Sequence, residues 1–269
     1  MSIAKSESGA LVLPPEPPIV EYRSAFLANP RGLLNRVPGV FICDKHLFIT
    51  SNQALQRIKV QAGRKLLKQF CRLGHGGTLD PYATGVLAVL AGRARRLFQE
   101  FGAFDKEYIA TVRLGWISDT YDRESPATMT GAAIPTEGLL RESLNSFLGT
   151  IRQYPPVHSA VKVDGVPIYK KARLGIEVPV IPRSVEVTGV ELLSLSEDLA
   201  EIRISCGTGF YVRSFARDLG ERIGCGATLW ALRRTRVGPF TIADSLPEEV
   251  ISERIRSYVV DAHGDADYC

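Results

Sequence analysis

The sequence predicts an α+β fold built on a largely antiparallel sheet. Strand-like and helical segments are mixed without a regular βαβ repeat, and no segment repeats internally. The apolar fraction of 45% and the charged fraction of 23% are ordinary for a globular chain of 269 residues. No apolar run reaches the roughly 18 residues of a membrane span, and no basic start precedes an apolar run as in a secretory signal. We therefore expect a cytoplasmic protein without a membrane partner.

Composition divides the chain into three parts. Residues 1–38 are expected to form an extended N-terminal arm, because prolines crowd its middle and lack the amide donor that helices and sheets use. Residues 39–245 form the main domain. Residues 246–269 are expected to be a short acidic tail.

Strand and helix signals then follow one another along the main domain. Apolar and β-branched runs predict strands over residues 40–43, 86–91, 108–115, 184–194 and 200–206. Helical spacing and cap residues predict helices over residues 50–60, 93–101, 168–174, 213–223 and 227–234. A further helix is expected after its cap at Thr136, and its core face is expected to carry Leu139, Leu140, Leu144, Phe147 and Leu148. Asp164-Gly165, between VKV and VPIY, predicts a hairpin turn.

The cysteines and the net charge limit the function only weakly. Five cysteines, with no CxxC pair, and four histidines offer little material for a zinc cluster. We expect reduced thiols. A net charge of +4 permits a nucleic-acid partner without requiring one. Because neither a glycine-lysine phosphate loop nor a GxGxxG motif follows a strand, no nucleotide cofactor is expected.

The densest group of chemistry-bearing residues is Gly74-His75-Gly76-Gly77-Thr78-Leu79-Asp80-Pro81. Its glycines allow unusual backbone conformations and the close approach of another molecule. Pro81 biases Asp80 towards an extended conformation, and a carboxylate held in this way can act as a nucleophile or a base. Taken alone, however, the motif is more typical of an Asp-Pro helix cap after a glycine turn.

A second motif, Gly207-Thr208-Gly209-Phe210-Tyr211-Val212-Arg213-Ser214, leads from a strand into a helix. Arg213 falls near the helix start, where its charge opposes the helix dipole. A carboxylate or a phosphate would compensate it there. The alternative is an arginine in solvent.

Short basic clusters lie close to aromatic residues. The clusters are Arg93, Arg95 and Arg96; Lys170, Lys171 and Arg173; and Arg233, Arg234 and Arg236, and the aromatics are Tyr108, Tyr169, Phe210 and Tyr211. Positive charge for the backbone together with flat rings for stacked bases suits looped or single-stranded RNA. Each cluster alone is more typical of a solvated helix face than of an RNA-binding surface.

In combination these motifs resemble the TruB-type pseudouridine synthases. The matching segments, in the order expected of that family, are GVFICDK (39–45), GHGGTLDPYATGVL (74–87), DKEY (105–108), DTYD (119–122), YPPVHSAVKVDG (154–165), GFYVRSFARDLG (209–220) and GCGATLWALRRTRVGPF (224–240). The resemblance implies a pseudouridine synthase fold with a central RNA-binding cleft. It also implies isomerisation of one T-loop uridine of tRNA, a redox-neutral reaction that needs no cofactor or metal. We further expect a monomer that acts without a guide RNA.

The resemblance also implies roles for single residues. Asp80 is expected to be the nucleophile, Tyr108 to stack on the target base, and Arg213 to pair with the aspartate. Substrate contacts are implied for His75, Tyr211, Leu232, Lys106, Asp119 and Lys162. The alternative is a non-catalytic protein that binds or folds tRNA on the same scaffold.

Three features depart from the family pattern. The opening DKPxGxTS lacks its proline and glycine here, so a different local turn is expected over residues 46–49. Gly76 replaces a threonine or another small residue, which we expect to be tolerated. The residues after Phe240 are too few for the PUA-like domain that many bacterial members carry.

Overall fold

The computed structural model of the chain describes residues 18–156, 162–163, 166–167 and 181–263. The chain divides into two compact units, Met1–Ala103 with Arg236–Cys269, and Phe104–Thr235. Each unit combines helices with antiparallel strands, which confirms the α+β class. Among the described helices, none is both long and apolar enough to cross a membrane.

The elements of the first unit up to its break are α1 (Ile19–Ala28), β1 (Gly39–Lys45), α2 (Ser51–Ala62), α3 (Arg64–Phe70), β2 (Leu73–His75), β3 (Ala83–Ala91) and α4 (Phe98–Ala103). The second unit holds β4 (Lys106–Leu114), β5 (Trp116–Ser118), β6 (Ala127–Met129), α5 (Glu137–Asn145), β7 (Gly149–Gln153), β8 (Lys162–Val163), β9 (Val166–Pro167), β10 (Arg183–Ser196), β11 (Leu199–Cys206), α6 (Val212–Ile223) and most of β12 (Ala227–Val237). β13 (Phe240–Thr241) and α7 (Glu248–His263) complete the first unit. Short 3-10 helices cover Pro30–Leu33, Gly92–Leu97 and Ile242–Asp244.

In the first unit, β3 pairs antiparallel with β1 along its length and with β2 near His75. Both strands predicted here, over residues 40–43 and 86–91, are confirmed. The helix predicted from residue 50 is confirmed as α2, which begins with a reciprocal cap. Thr50 Oγ1 accepts from the Gln53 amide at 3.0 Å, and Gln53 Oε1 accepts from the Thr50 amide at 2.7 Å.

The prediction of an extended arm over residues 1–38 is wrong for the described part of this segment, because Ile19–Ala28 is a helix. Proline is compatible with a helix start, where its missing amide is not needed, so the helix begins directly after Pro18. Tyr22 and Phe26, four residues apart, share one helix face and are buried. Phe26 stacks on Phe101 with ring centroids 5.6 Å apart. Residues 1–17 lie outside the described part of the chain.

The prediction of a tail over residues 246–269 is also wrong for the described part of this segment, because α7 packs into the core of the first unit. Ile251, Ile255 and Val259 recur every four residues and are fully buried against α2. Ser252 Oγ also donates to Gln61 Oε1 of α2 at 2.9 Å. Each buried aliphatic side chain contributes roughly 1.5–3 kcal/mol, so α7 is an integral part of this unit.

The second unit is built on a sheet with the strand order β12-β4-β11-β10-β7, in which β4, β11, β10 and β7 pair antiparallel. The strands predicted over residues 108–115, 184–194 and 200–206 are confirmed as β4, β10 and β11. The helix predicted over residues 213–223 is confirmed as α6, which ends at Gly224 in the left-handed conformation (φ 87°).

The helix predicted over residues 227–234 is wrong, because Ala227–Val237 is strand β12. Its alanines, leucines and arginines favour a helix by propensity, but the segment pairs with β4 in the sheet. Leu232 and Arg234 are buried, whereas Arg233 and Thr235 are partly exposed, which is the alternation of a strand. Arg234 is therefore not part of a solvated helix face.

Two further expectations for the second unit are confirmed only in part. Thr136 caps α5 as predicted, accepting from the Leu139 amide at 3.4 Å. Leu140, Leu144 and Phe147 are buried, but Leu139 and Leu148 are exposed and do not belong to the core. β8 and β9 pair antiparallel, as the predicted hairpin requires. The helix predicted over residues 168–174, the cluster Lys170, Lys171 and Arg173, and Tyr169 lie outside the described residues.

The described cysteines, Cys43, Cys71, Cys206 and Cys225, are buried free thiols. Burial raises the pKa of the Cys43 thiol to about 12 and that of Cys71 to about 11. Since the thiolate is the reactive form, both side chains act as small apolar groups in the core.

Candidate active site

The loop that carries Asp80 is held at both ends by the sheet of the first unit. β2 ends at His75, which pairs with Val89, and β3 begins at Ala83. The Asp80 carbonyl accepts from the Ala83 amide at 3.0 Å and closes a turn with Pro81 at its second position. The turn leads into a strand, so the alternative of an Asp-Pro helix cap is wrong.

Two glycines let this loop pass close to its neighbours. A Cβ on Gly76 would lie 2.6 Å from Cγ of Phe101, well inside contact distance. Gly77 has φ 130°, a conformation that side chains rarely adopt. This chain therefore favours glycine at position 76, because the Phe101 ring fills the space that a larger residue would need.

Ser51 fixes the residue that precedes Asp80. Its hydroxyl accepts from the Leu79 amide at 2.8 Å and donates to the Leu79 carbonyl at 3.1 Å. Both Ser51 and Leu79 are buried. The first residue of α2 thus positions the loop that carries Asp80, a role that the sequence did not reveal.

Lys45 holds the other side of Asp80. Its side chain is fully buried, and its ammonium group donates to the carbonyls of His46 (2.9 Å), Ile49 (2.6 Å) and Pro81 (3.2 Å). A buried ammonium is stable only with such compensation. Lys45 therefore ties residues 46–49 to the residue that follows Asp80.

Phe48 replaces the glycine of the family opening but keeps a glycine-like conformation. Its φ is 61°, in the left-handed region, and its amide donates to the Pro81 carbonyl at 2.8 Å. This conformation costs a residue with a side chain about 1–2 kcal/mol. Residues 46–49 therefore differ from the family opening in sequence, but the backbone at Phe48 keeps the left-handed conformation that glycine favours.

The Asp80 carboxylate itself is partly buried. The Tyr82 hydroxyl donates to its Oδ2 at 3.4 Å, and Tyr82 is almost fully buried. With Leu79 and Pro81 anchored on either side, the carboxylate is presented from a fixed backbone, as nucleophilic attack requires.

Arg213 lies in the first turn of α6 and is not solvated, since its side chain is only 9% exposed. Asp122 Oδ2 lies 3.4 Å from its Nη1 and is fully buried. This carboxylate is the compensation that an arginine at a helix start requires. Asp122 is held in turn by the Thr120 hydroxyl and by the Glu124 amide (2.9 Å), which donate to Oδ1.

Asp119, the candidate from the same motif, is exposed. Within the described ranges its carboxylate forms neither a hydrogen bond nor an ion pair. The aspartate that contacts Arg213 is Asp122, three residues further on, and the substrate contact expected of Asp119 stays a prediction.

Tyr211 precedes α6, and its backbone is clamped by a buried amide. The Tyr211 amide donates to Gln153 Oε1 at 2.7 Å, and the Tyr211 carbonyl accepts from Gln153 Nε2 at 3.0 Å. Gln153, at the end of β7, is 1% exposed. It fixes where α6 begins and hence where Tyr211 and Arg213 stand, and no sequence motif marked it.

The remaining candidates of the second unit lie on β4 and β12, which are neighbours in the sheet. Tyr108 is buried near the start of β4, and Leu232 is buried on β12. Lys106 begins β4, and its ammonium donates to the Phe104 carbonyl. Burial and, after it, the nearby charge of Arg234 lower the pKa of Lys106. The side chain of Lys162 lies outside the described part of the structure.

The described residues thus form two groups. His75 and Asp80 share one loop of the first unit, and Tyr108, Tyr211 and Arg213 belong to the second. The pairing of Asp80 with Arg213 stays a prediction.

We predict that Ser51→Ala lowers turnover about 10- to 100-fold while RNA affinity stays within about threefold. The substitution leaves the buried Leu79 amide without its acceptor, which costs roughly 1–3 kcal/mol and loosens the backbone beside Asp80. Steady-state kinetics and urea unfolding measure the two effects. Ser257→Ala, at an exposed serine of α7, is the control. Wild-type turnover in Ser51→Ala would contradict a positioning role.

The fold of the chain defines the class of protein to which it belongs. The chain superposes on a chain of a Cbf5–Nop10–Gar1 complex with a TM-score of 0.62 and a sequence identity of 26%. The match covers 99% of this chain and 66% of that chain. The chain therefore has the fold of a pseudouridine synthase.

The sequence of the chain defines its family. The N-terminal domain of the TruB family pseudouridylate synthases matches residues 64–212, and the tRNA pseudouridylate synthase B C-terminal domain matches residues 213–263. The chain is 44% identical over 210 residues to tRNA pseudouridine synthase B of Aromatoleum aromaticum, covering 78% of this chain and 66% of the relative. It is 41% identical over 214 residues to that of Opitutus terrae, covering 79% and 86%. The chain belongs to the TruB family of pseudouridylate synthases.

Proposed function

We propose that this chain converts the T-loop uridine at position 55 of tRNA into pseudouridine, with Asp80 as the nucleophile. It acts in the cytoplasm as a monomer and without a guide RNA. The observation that carries this proposal is the carboxylate of Asp80, held on a backbone that Ser51 and Lys45 anchor on either side. The relatives named tRNA pseudouridine synthase B supply the substrate class.

The target uridine must leave the loop stack before its glycosidic bond can be reached, at a cost of a few kcal/mol. Stacking on an aromatic ring returns on the order of 1–3 kcal/mol per base. Tyr108 provides such a ring, fixed by its place on β4. The family resemblance also gives this tyrosine a part in moving a proton.

The chemistry is an isomerisation in which nothing is oxidised or reduced. The Asp80 carboxylate forms a bond to the nucleotide as the N-glycosidic bond breaks. The electron pair of the broken N-glycosidic bond leaves with the uracil. The uracil turns and rejoins through carbon, the proton of that carbon is lost, and the carboxylate is released. A guanidinium such as Arg213 keeps a carboxylate ionised when a closing pocket removes water.

Asp122 positions Arg213 for a contact with the Asp80 carboxylate. It balances the arginine charge inside the protein, so that the guanidinium remains buried in the absence of RNA. A guanidinium carries five N–H donors in a planar fork, which suits it to contacts with more than one acceptor. We propose that Arg213 uses further donors for Asp80 when substrate is bound.

The direct test uses the purified chain and an unmodified tRNA transcript. Mass mapping of the RNA is expected to find one pseudouridine, in the T-loop. A transcript with cytidine in place of the T-loop uridine is the control and should remain unmodified. Pseudouridine elsewhere, or none, would refute the proposed activity.

Tyr108→Ala is expected to lower single-turnover rates by about 10²-fold while tRNA affinity changes less than about threefold. The reason is that the ring orders the base at the reacting centre, whereas many phosphate contacts hold the RNA. Tyr108→Phe keeps the ring and isolates the contribution of the hydroxyl. Equal losses in rate and affinity for Tyr108→Ala would mean that the ring is only a binding platform.

A further inference from the structure

Positive charge is concentrated in one part of the chain. Residues 45–104 contain ten of the 33 lysines and arginines but only two of the 29 carboxylate side chains, Asp80 and Glu100. The rest of the chain therefore carries more acidic than basic side chains. The segment includes α2, α3 and β2, together with the 3-10 turn Gly92–Leu97.

Half of these cations surround one cavity of about 410 Å³ in the first unit. They are Lys59, Arg64, Lys68, Arg72 and Arg95, which we call the basic pocket. The buried leucines Leu67 and Leu73 belong to the same lining and give it a rigid apolar floor. Among the described residues that line the cavity, none carries a carboxylate.

The cations of the basic pocket are not neutralised within the described part of the protein. None of the five makes a side-chain hydrogen bond or an ion pair with any residue that the structure describes. Partial burial and, after it, the charges of Arg95 and Arg64 lower the pKa of Lys59. The five charges thus repel one another, and a bound anion relieves that repulsion.

The basic pocket is also close to the nucleophile along the chain. Leu73 begins β2, and Asp80 follows seven residues later, which places their Cα atoms at most about 25 Å apart. A nucleic-acid duplex carries a phosphate about every 3.4 Å along each strand. Several backbone phosphates of an RNA arm bound at Asp80 therefore fall within this range.

We propose that the basic pocket binds backbone phosphates of the tRNA, away from the nucleotide on which Asp80 acts. The identity of the RNA rests on the proposed function, whereas the preference for phosphates rests on the pocket itself. Five cations exceed what a single phosphate needs but suit consecutive phosphates of one strand. The pocket then contributes to affinity and orientation, and not to the chemical step.

The test removes two exposed charges of the pocket in the variant Arg64→Gln with Lys68→Gln. Filter binding to tRNA is measured from low to high salt. For each phosphate that the variant no longer binds, affinity is expected to fall about fivefold near 0.15 M salt, and the slope of log affinity against log salt is expected to decrease by about one. The rate at saturating tRNA is expected to remain that of the wild type.

The matched control removes two exposed charges of α7, in Arg254→Gln with Arg256→Gln. These lie beside Glu253 and should leave the salt slope unchanged. An equal slope in the wild type and in both double variants overturns the proposal. If inorganic tripolyphosphate raises the melting temperature of the wild type but not of the pocket variant, while tRNA affinity is unaffected, the pocket takes a small anion and the proposal is also overturned.

The binding assay also distinguishes a failure of the proposed phosphate site from a failure of the proposed activity. A wild-type protein that makes pseudouridine, with a slope that Arg64→Gln and Lys68→Gln leave unchanged, refutes only the phosphate site. A protein that forms no pseudouridine, but loses salt dependence in this variant, refutes only the proposed activity.

Discussion

Replacing Asp80 by asparagine is expected to lower pseudouridine formation by at least about 10⁴-fold. The amide keeps the size of the side chain and an acceptor for the Tyr82 hydroxyl, but it carries no negative charge and is a far weaker nucleophile. Affinity for tRNA is expected to stay within about threefold, because phosphate contacts dominate binding. Single-turnover kinetics with excess protein separate the rate from the affinity.

The control for this variant is Asp261→Asn, at an exposed carboxylate of α7, which should retain the wild-type rate. A loss of less than tenfold in Asp80→Asn would exclude this carboxylate as the nucleophile. A wild-type chain that binds tRNA tightly and forms no pseudouridine would instead be the non-catalytic RNA-binding protein on the same fold.

Asp122→Asn is expected to destabilise the protein by about 3 kcal/mol and to lower turnover by about 10²-fold. Asp122 is fully buried, and its charge balances that of Arg213, whose side chain is 9% exposed. Removing one partner of such a pair leaves a buried charge uncompensated, which typically costs 3–5 kcal/mol. The displaced guanidinium would then no longer be held in the position that the proposed contact with Asp80 requires. Urea unfolding and single-turnover rates measure the two effects.

Asp119→Asn, in the same four-residue motif, is the matched control for stability. Its carboxylate is exposed, so the free energy of unfolding should change by less than about 0.5 kcal/mol. If both variants were equally stable, the ion pair between Asp122 and Arg213 would contribute nothing to the fold. The reason for burying this arginine would then have to be sought elsewhere.

The elements that the sequence predicted correctly are those with local signals. Thr50 and Thr136 cap helices through bonds within three residues, and Gly224 ends α6 with a left-handed conformation. The sequence predicts a helix where the structure has strand β12, because these residues favour a helix locally, whereas the pairing with β4 depends on a distant segment. For the same reason the sequence predicts an arm and a tail where the structure has α1 and α7. Their burial depends on partners such as Phe101 that are remote in sequence.

The candidate site divides in the same way. The loop with His75 and Asp80 and the turn with Tyr211 and Arg213 are contiguous, so a motif reveals them. The residues that hold them in place are not contiguous with them. Ser51 bonds to Leu79 across 28 positions, and Gln153 clamps Tyr211 across 58. A serine or a glutamine has no property in the sequence that marks such a contact, and only the folded chain identifies it.

The function of the Asp80 carboxylate is tested most directly in cells that lack their own T-loop pseudouridine synthase. Their tRNA is mapped by mass after expression of the wild-type chain or of Asp80→Asn at equal protein levels. We expect the wild-type chain to restore pseudouridine in the T-loop and the variant to leave uridine there. Normal pseudouridine in cells that carry only Asp80→Asn would contradict the assignment of this residue as the nucleophile.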